Sequence, residues 1–170
     1  MLFQSFEHLL VLIKEEKDKV DEFIDHLATI YRYILASKKD QLISLYKEVE
    51  ILEEFVKLHN HLPYRKVKMR SAIKKDFLIV PGTLIFVIEQ LIKTTITSAK
   101  DILEITISEN ETDFVLSYQP EDKIIEQFSM NNILEVVRVY SVYSSQEIKI
   151  EEQKGTRTIS IPKLEIKSHL

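Results

Sequence analysis

The sequence predicts an α+β fold, an N-terminal antiparallel helical hairpin followed by a two-layer α/β sandwich. Apolar residues recur every three or four positions through most of the chain up to Lys93, then alternate in short runs from Ile102 onward. After the hairpin the elements read helix, strand, helix, strand, strand, helix, strand, strand, the order of a sandwich with helices on one face of a mixed sheet. With 170 residues and 45% hydrophobic content the chain can bury a sizeable core. The boundaries expected are 1–40 for the hairpin and 41–170 for the sandwich.

Leu2, Phe6, Leu9 and Ile13 are spaced by four, three and four and mark one stripe of the first helix. Asp18 is the expected N-cap of the second, which carries Val20, Phe23, Leu27, Ile30 or Tyr31, and Ile34 to about Ser37. A lone hairpin cannot cover its own apolar face. Two copies would close a four-helix bundle, with Leu2, Phe6, Leu9, Ile13, Phe23, Leu27, Ile30 and Ile34 at the dimer interface. The alternative is a hairpin folded back on its own domain.

Ser44 caps a third helix, with Leu45, Val49, Leu52 and Val56 inward and Glu48, Glu50, Glu53 and Glu54 largely in water, ending near Pro63. Residues 67–73 and 76–80 have strand character around the Lys74-Lys75-Asp76 turn, and Pro81-Gly82-Thr83 opens a fourth helix. Ile102 to Ser108 and Thr112 to Tyr118 alternate as strands. Asn131 or Asn132 caps a helix carrying Val136 and Tyr140, and Glu147 to Glu152 pairs with Arg157 to Ile161 across Lys154-Gly155.

Composition narrows the chemistry. No cysteine is present, which removes thiolate metal sites, disulfides and cysteine nucleophiles. A mild, unclustered net charge of −4 disfavours a nucleic-acid partner. Leu9 to Ile13 is too short an apolar run to span a bilayer, so no membrane segment is expected in the chain and the expected location is cytoplasmic. His59-Asn60-His61 is a poor metal pair, because residues i and i+2 of a helix diverge by about 200° and other ligands would have to come from afar. No metal site is expected.

Three segments, FIDHLATIYRYIL from Phe23, LISLYKEVEILEEFVKLHNHLPY from Leu42 and LIVPGTLIFVIEQLIK from Leu78, follow one another in an order that resembles the LytS-like sensor histidine kinases. That family has an L-S-x-L-x-R-Y helix, an E-rich helix, a strand and a P-x-x-L-Q-x-L-V-E-N-A-x-K-H helix. The resemblance implies the ATP-binding sandwich shared by histidine kinases, gyrases and Hsp90 chaperones. It covers roughly residues 2–163, more strongly from 20 to 107 than after 120. It also implies Tyr31-Arg32-Tyr33 as the family's R-Y pair, either an anchor of the hairpin on the sandwich or two core tyrosines.

The reactive residues of that family are largely replaced here. Its phosphoacceptor histidine would fall just before Met1. Glu89 and Lys93 match the family's helix, but Gln90 replaces its asparagine and Thr94-Thr95 its His-Asn, leaving Glu89, Gln90, Lys93 and Asn132 as a vestigial ATP and magnesium site. Glu89 and Lys93 also read simply as an i, i+4 ion pair. Ser117-Tyr118-Gln119-Pro120 stands where an acid would read adenine. Gly82 and Gly155 are the only glycines, against a usual share of about 7%, and neither lies where a phosphate lid is built.

The expectation is a catalytically degenerate histidine-kinase-like protein of two-component signalling, without a cofactor and leaning away from enzymatic activity, which if present would be that of an ATP-dependent protein histidine kinase. It is expected to form a homodimer and to bind a response regulator or a histidine kinase. One alternative is an active kinase fragment binding ATP and magnesium. Another is a phosphotransfer protein using His8 or His26, both expected to be exposed on their helices. The family's usual upstream input segment is either lacking or precedes this chain.

Overall fold

A computed structural model of the protein describes residues 2–61, 66–96, 102–121 and 127–164, with the backbone alone for 2–6. Helix α1 (Leu2–Glu15) leads through a 3-10 turn at Lys17–Lys19 into α2 (Val20–Ser37). A short strand β1 (Ile43–Ser44) precedes α3 (Leu45–Asn60), β2 (Val67–Ser71), β3 (Leu78–Ile79) and α4 (Thr83–Thr94). Then come β4 (Leu103–Glu109), β5 (Asp113–Tyr118), a 3-10 turn at Met130–Ile133, α5 (Leu134–Tyr143), β6 (Lys149–Gln153) and β7 (Thr156–Pro162). This is the expected α+β architecture.

The main sheet has the order β2-β4-β5-β7-β6, with β2 and β4 parallel and the other neighbours antiparallel. Alternation in β4, β5 and β7 buries Leu103, Ile105, Ile107, Phe114, Leu116, Ile159 and Ile161 on one side. Leu84, Val87, Ile88 and Leu91 of α4 and Leu52 and Phe55 of α3 join them in one core. The β6–β7 hairpin turns at Lys154 (φ 50°) and Gly155 (φ 75°), the pair of positive φ values that a two-residue type I′ loop requires.

Several expectations are corrected. Asp18 lies within the 3-10 turn, and Lys19 occupies the N-cap of α2 without a side-chain hydrogen bond. Of the segments 67–73 and 76–80, β2 joins the main sheet through β4, whereas β3 pairs with β1. The α3 cap at Ser44 is as expected, its Oγ accepting from Lys47 N–H, yet Asp76 accepts from the Ser44 hydroxyl at 2.6 Å and from Tyr46 N–H at 3.2 Å. Asp76, at the junction of the expected turn and the 76–80 segment, thus completes a helix start 30 positions away. Helix α3 ends at Asn60, whose side chain donates to Val67 O and accepts from Val67 N–H, both at 2.8 Å, setting the start of β2; Pro63 lies outside the described residues. Ser129, not Asn131 or Asn132, caps the turn before α5, and Asn132 is its capping-box partner.

The hairpin departs most from expectation. Helix α2 lies antiparallel along α3, so that Phe23 and Ile30, assigned by pattern to a dimer interface, are 1% and 0% exposed within the single chain. On α1, Leu12 is the buried residue and Leu9 is half-buried, while Ile13 is exposed; the side chains of Leu2 and Phe6 lie outside the described residues. Leu27 and Ile34 are half-buried against the core. Phe23 and Ile30 therefore add no further burial to any contact between copies.

Candidate functional site

Glu48 is the most buried charged residue of α3 and reverses the expectation that it faces water: it is 0% exposed. Its carboxylate sits at the start of α4, where the first N–H groups of a helix have no partner of their own. Glu48 Oε2 accepts from Gly82 N–H at 3.1 Å and Oε1 from Leu84 N–H at 3.0 Å. The Tyr33 hydroxyl of α2 donates to Oε2 in a short hydrogen bond and also accepts from Gly82 N–H at 3.3 Å. Gly82, at φ 80°, holds the left-handed turn that aims these amides at the acid. Burial raises the Glu48 pKa although the Tyr33 and backbone donors oppose that rise. Tyr33, by burial and the facing Glu48 charge, is raised far above an ordinary phenol.

Tyr33 thus anchors the hairpin to the sandwich through one acid and the start of α4. At the other end of the same antiparallel pair, His26 Nδ1 of α2 lies 2.6 Å from Glu54 Oε2 of α3, and Glu54 also accepts from Lys57 at 2.7 Å. The helix carrying Tyr31-Arg32-Tyr33 is therefore tied to the sandwich at two levels.

On α4, Glu89 pairs with Lys93 at 3.1 Å, the i, i+4 geometry of a helix-surface ion pair. The Glu89 side chain is only 13% exposed. Tyr31 of α2 faces it: its pKa is raised by burial and then by the Glu89 charge. Asn132 does not join them. Its Oδ1 accepts from Ser129 N–H at 2.8 Å and from the Ser129 hydroxyl at 3.1 Å. Helix α4 and the 3-10 turn of Asn132 are packed neighbours, but Glu89, Gln90, Lys93 and Asn132 form no common ligand set among the described residues.

A cleft of about 560 Å³ opens between the end of α4 and the β4 and β5 strands, lined by Thr95, Leu103, Glu104, Ser117, Tyr118 and Gln119 among others. Glu89, Gln90, Lys93 and Asn132 do not line it. Its described lining offers Glu104 and Glu121 and no lysine or arginine, the wrong sign for a polyphosphate. Tyr118 itself is held by Arg157, which donates to its hydroxyl at 3.3 Å and binds Glu152 through two nitrogens at 3.1 and 2.8 Å. Among the described residues, Glu89 is ion-paired, Asn132 serves as a cap and Gly82 and Gly155 hold turns.

The histidines also sit differently from expectation. His8 is half-buried rather than open surface. The His26 side chain is 13% exposed with Nδ1 held by Glu54 and Nε2 buried, so neither nitrogen is presented to an incoming phosphoryl group. His59 packs edge-on against Phe55 at 4.6 Å, whereas His61 faces His26 at 5.6 Å and Phe23 at 6.1 Å between ring centres. The two histidines diverge as helical geometry demands.

A hairpin helix docked on an α/β sandwich, with α4 capped from below and a cleft at the end of the sheet, is a fold also seen in a solved histidine kinase. A family model described as histidine kinase matches residues 1–62. Over 98% of this chain and 97% of the other, the fold is similar to the Acinetobacter baumannii histidine kinase AdeS, with a TM-score of 0.51 and 13% identity. A bacterial phosphotransferase structure is similar over 92% of this chain and 85% of that one, with a TM-score of 0.54 and 9% identity. No curated protein matches the chain. Among the described residues no helix is long and apolar enough to cross a membrane.

Proposed function

We propose that this chain is a catalytically degenerate histidine-kinase-like protein of two-component signalling, which acts by binding a response regulator or a histidine kinase. The observation that carries this reading is the fate of the glycines. The sandwich retains its strands and helices, yet the loop between β5 and α5 contains no glycine, and Gly82 and Gly155 hold turns elsewhere. Backbone amides converging on a triphosphate need that conformational freedom. What remains is a shaped, mildly acidic surface whose work is recognition.

Homodimerisation belongs to the same proposal, through a surface shifted from the stripe read in the sequence. Ile24, Ala28, Tyr31 and Leu35 recur at intervals of four, three and four on α2, and Ile24 and Leu35 are 43% and 62% exposed. Leu10 and Ile13 of α1 are 60% and 42% exposed. A second copy laying the same stripe against this one would bury all four. The division into a hairpin of residues 1–40 and a sandwich of 41–170 and a cytoplasmic location are part of this reading.

Calorimetric titration of the chain with ATP and magnesium tests it. No binding tighter than about 1 mM is expected. Saturable binding below that value, with phosphate appearing on any histidine, would restore the active-kinase reading. Incubation with a phosphorylated receiver domain is expected to leave His8 and His26 unmodified, and acid-labile phosphate on either would favour phosphotransfer.

A further inference from the structure

The packing of α2 on α3 gathers histidines and acids that are far apart in the sequence. Glu22 and His26 stand one turn apart on α2, and His61 closes α3. Their donor atoms lie within 4.8 Å of one another. His26 Nε2 is 3.6 Å from Glu22 Oε1, and His61 Nε2 is 3.9 Å from Glu22 Oε2. For metal–ligand bonds of about 2.1 Å a tetrahedral ion separates its ligands by roughly 3.4 Å, so the cluster, with its donor atoms within 4.8 Å, needs to contract by about 1.4 Å at most, and the two oxygens of Glu22 already approach one imidazole each.

The hydrogen bonding of His26 also fits. Glu54 holds His26 Nδ1 at 2.6 Å, which makes Nδ1 the protonated nitrogen and leaves the lone pair on Nε2. That Nε2 is buried and has no hydrogen-bond partner, an unmet acceptor aimed at the cluster. The Glu22 side chain is 65% exposed and free to turn inward, whereas the His26 and His61 side chains are 13% and 10% exposed and already placed.

We propose that Glu22, His26 and His61 form a binding site for a divalent transition metal of the zinc class, with Glu54 as the residue that orients His26. Two imidazoles and one carboxylate are a donor set for zinc rather than for magnesium or calcium, which prefer oxygen. The bound ion clips the turn end of α2 to the end of α3. It therefore reinforces the docking that Tyr33 and Glu48 provide at the far end of the same helices.

Titration of the full chain with zinc chloride, followed by calorimetry and thermal unfolding, tests the site. One zinc per chain is expected, with a Kd below about 10 μM and an unfolding midpoint raised by about 5–10 °C at a hundredfold excess over Kd. Glu22→Ala, an exposed position that the fold does not need, and His61→Ala are each expected to weaken binding at least about tenfold, and Glu54→Gln about 10–100-fold. Asp25→Ala, an exposed acid on the same helix outside the cluster, is expected to leave affinity unchanged. Cobalt in place of zinc is expected to give the intense visible bands of a four-coordinate site. Absence of stoichiometric zinc binding, equal affinity in Glu22→Ala and the parent, or equal competition by magnesium would overturn the proposal.

Discussion

Replacing Glu48 by alanine is expected to lower unfolding stability by about 3–5 kcal/mol. The side chain is fully buried, and its loss leaves Gly82 N–H, Leu84 N–H and the Tyr33 hydroxyl without their acceptor. Each buried orphan costs about 1–3 kcal/mol, and the vacated space adds to it. Urea unfolding checks the value, and a loss below about 1 kcal/mol would show that water replaces the acid freely. Tyr33→Phe removes one donor and keeps the ring, so about 1 kcal/mol is expected.

Glu48 also gives stability a pH dependence of defined sign. Burial raises its pKa in the fold above the ordinary value of 4.5, so the native chain holds that proton more tightly than the unfolded one. Its contribution is complete below the ordinary carboxylate range and declines as pH rises through the elevated value. Glu48→Gln keeps an acceptor oxygen but cannot ionise, and is expected to flatten the decline. Urea midpoints measured across that range in both proteins decide it; parallel profiles would mean that Glu48 stays ionised throughout.

The second large effect concerns assembly. Leu10→Asp combined with Leu35→Asp is expected to weaken dimerisation by about 100-fold or more, because four leucines per dimer each bury apolar area worth about 1.5–3 kcal/mol when fully covered. Both positions are exposed in the single chain, at 60% and 62%, so the monomer should keep its fold. Sedimentation velocity of the parent and the variant at matched concentration reads the change. A parent that is monomeric at high concentration, or a variant that remains dimeric, would remove this surface from the assembly. Phe23→Asp is not an equivalent test, since Phe23 belongs to the core and its loss would unfold the chain.

Periodicity located the helices because 3.6-residue spacing is a local property, and it placed the β6–β7 turn because Lys154-Gly155 needs positive φ wherever it occurs. It could not say which partner each stripe meets. Phe23 and Leu9 carry the same kind of signal, yet one packs into α3 and the other only skirts the core. Glu48 escapes pattern reading for the same reason: an acid among Glu50, Glu53 and Glu54 looks solvated until α4 brings its unpaired amides to it. The sequence did contain the elements of the metal cluster, but His26 and His61 are 35 positions apart and signal nothing until α2 folds back on α3.

Composition and pattern by themselves determined the α+β class, the absence of cysteine chemistry and the scarcity of glycine, since each depends only on which residues are present and how they are spaced. Tertiary structure alone decided the docking of α2 along α3, the burial of Glu48 beneath α4 and the gathering of Glu22, His26 and His61. Those depend on contacts between segments far apart in the chain, whose energies come from burial and paired polar groups that no local spacing encodes.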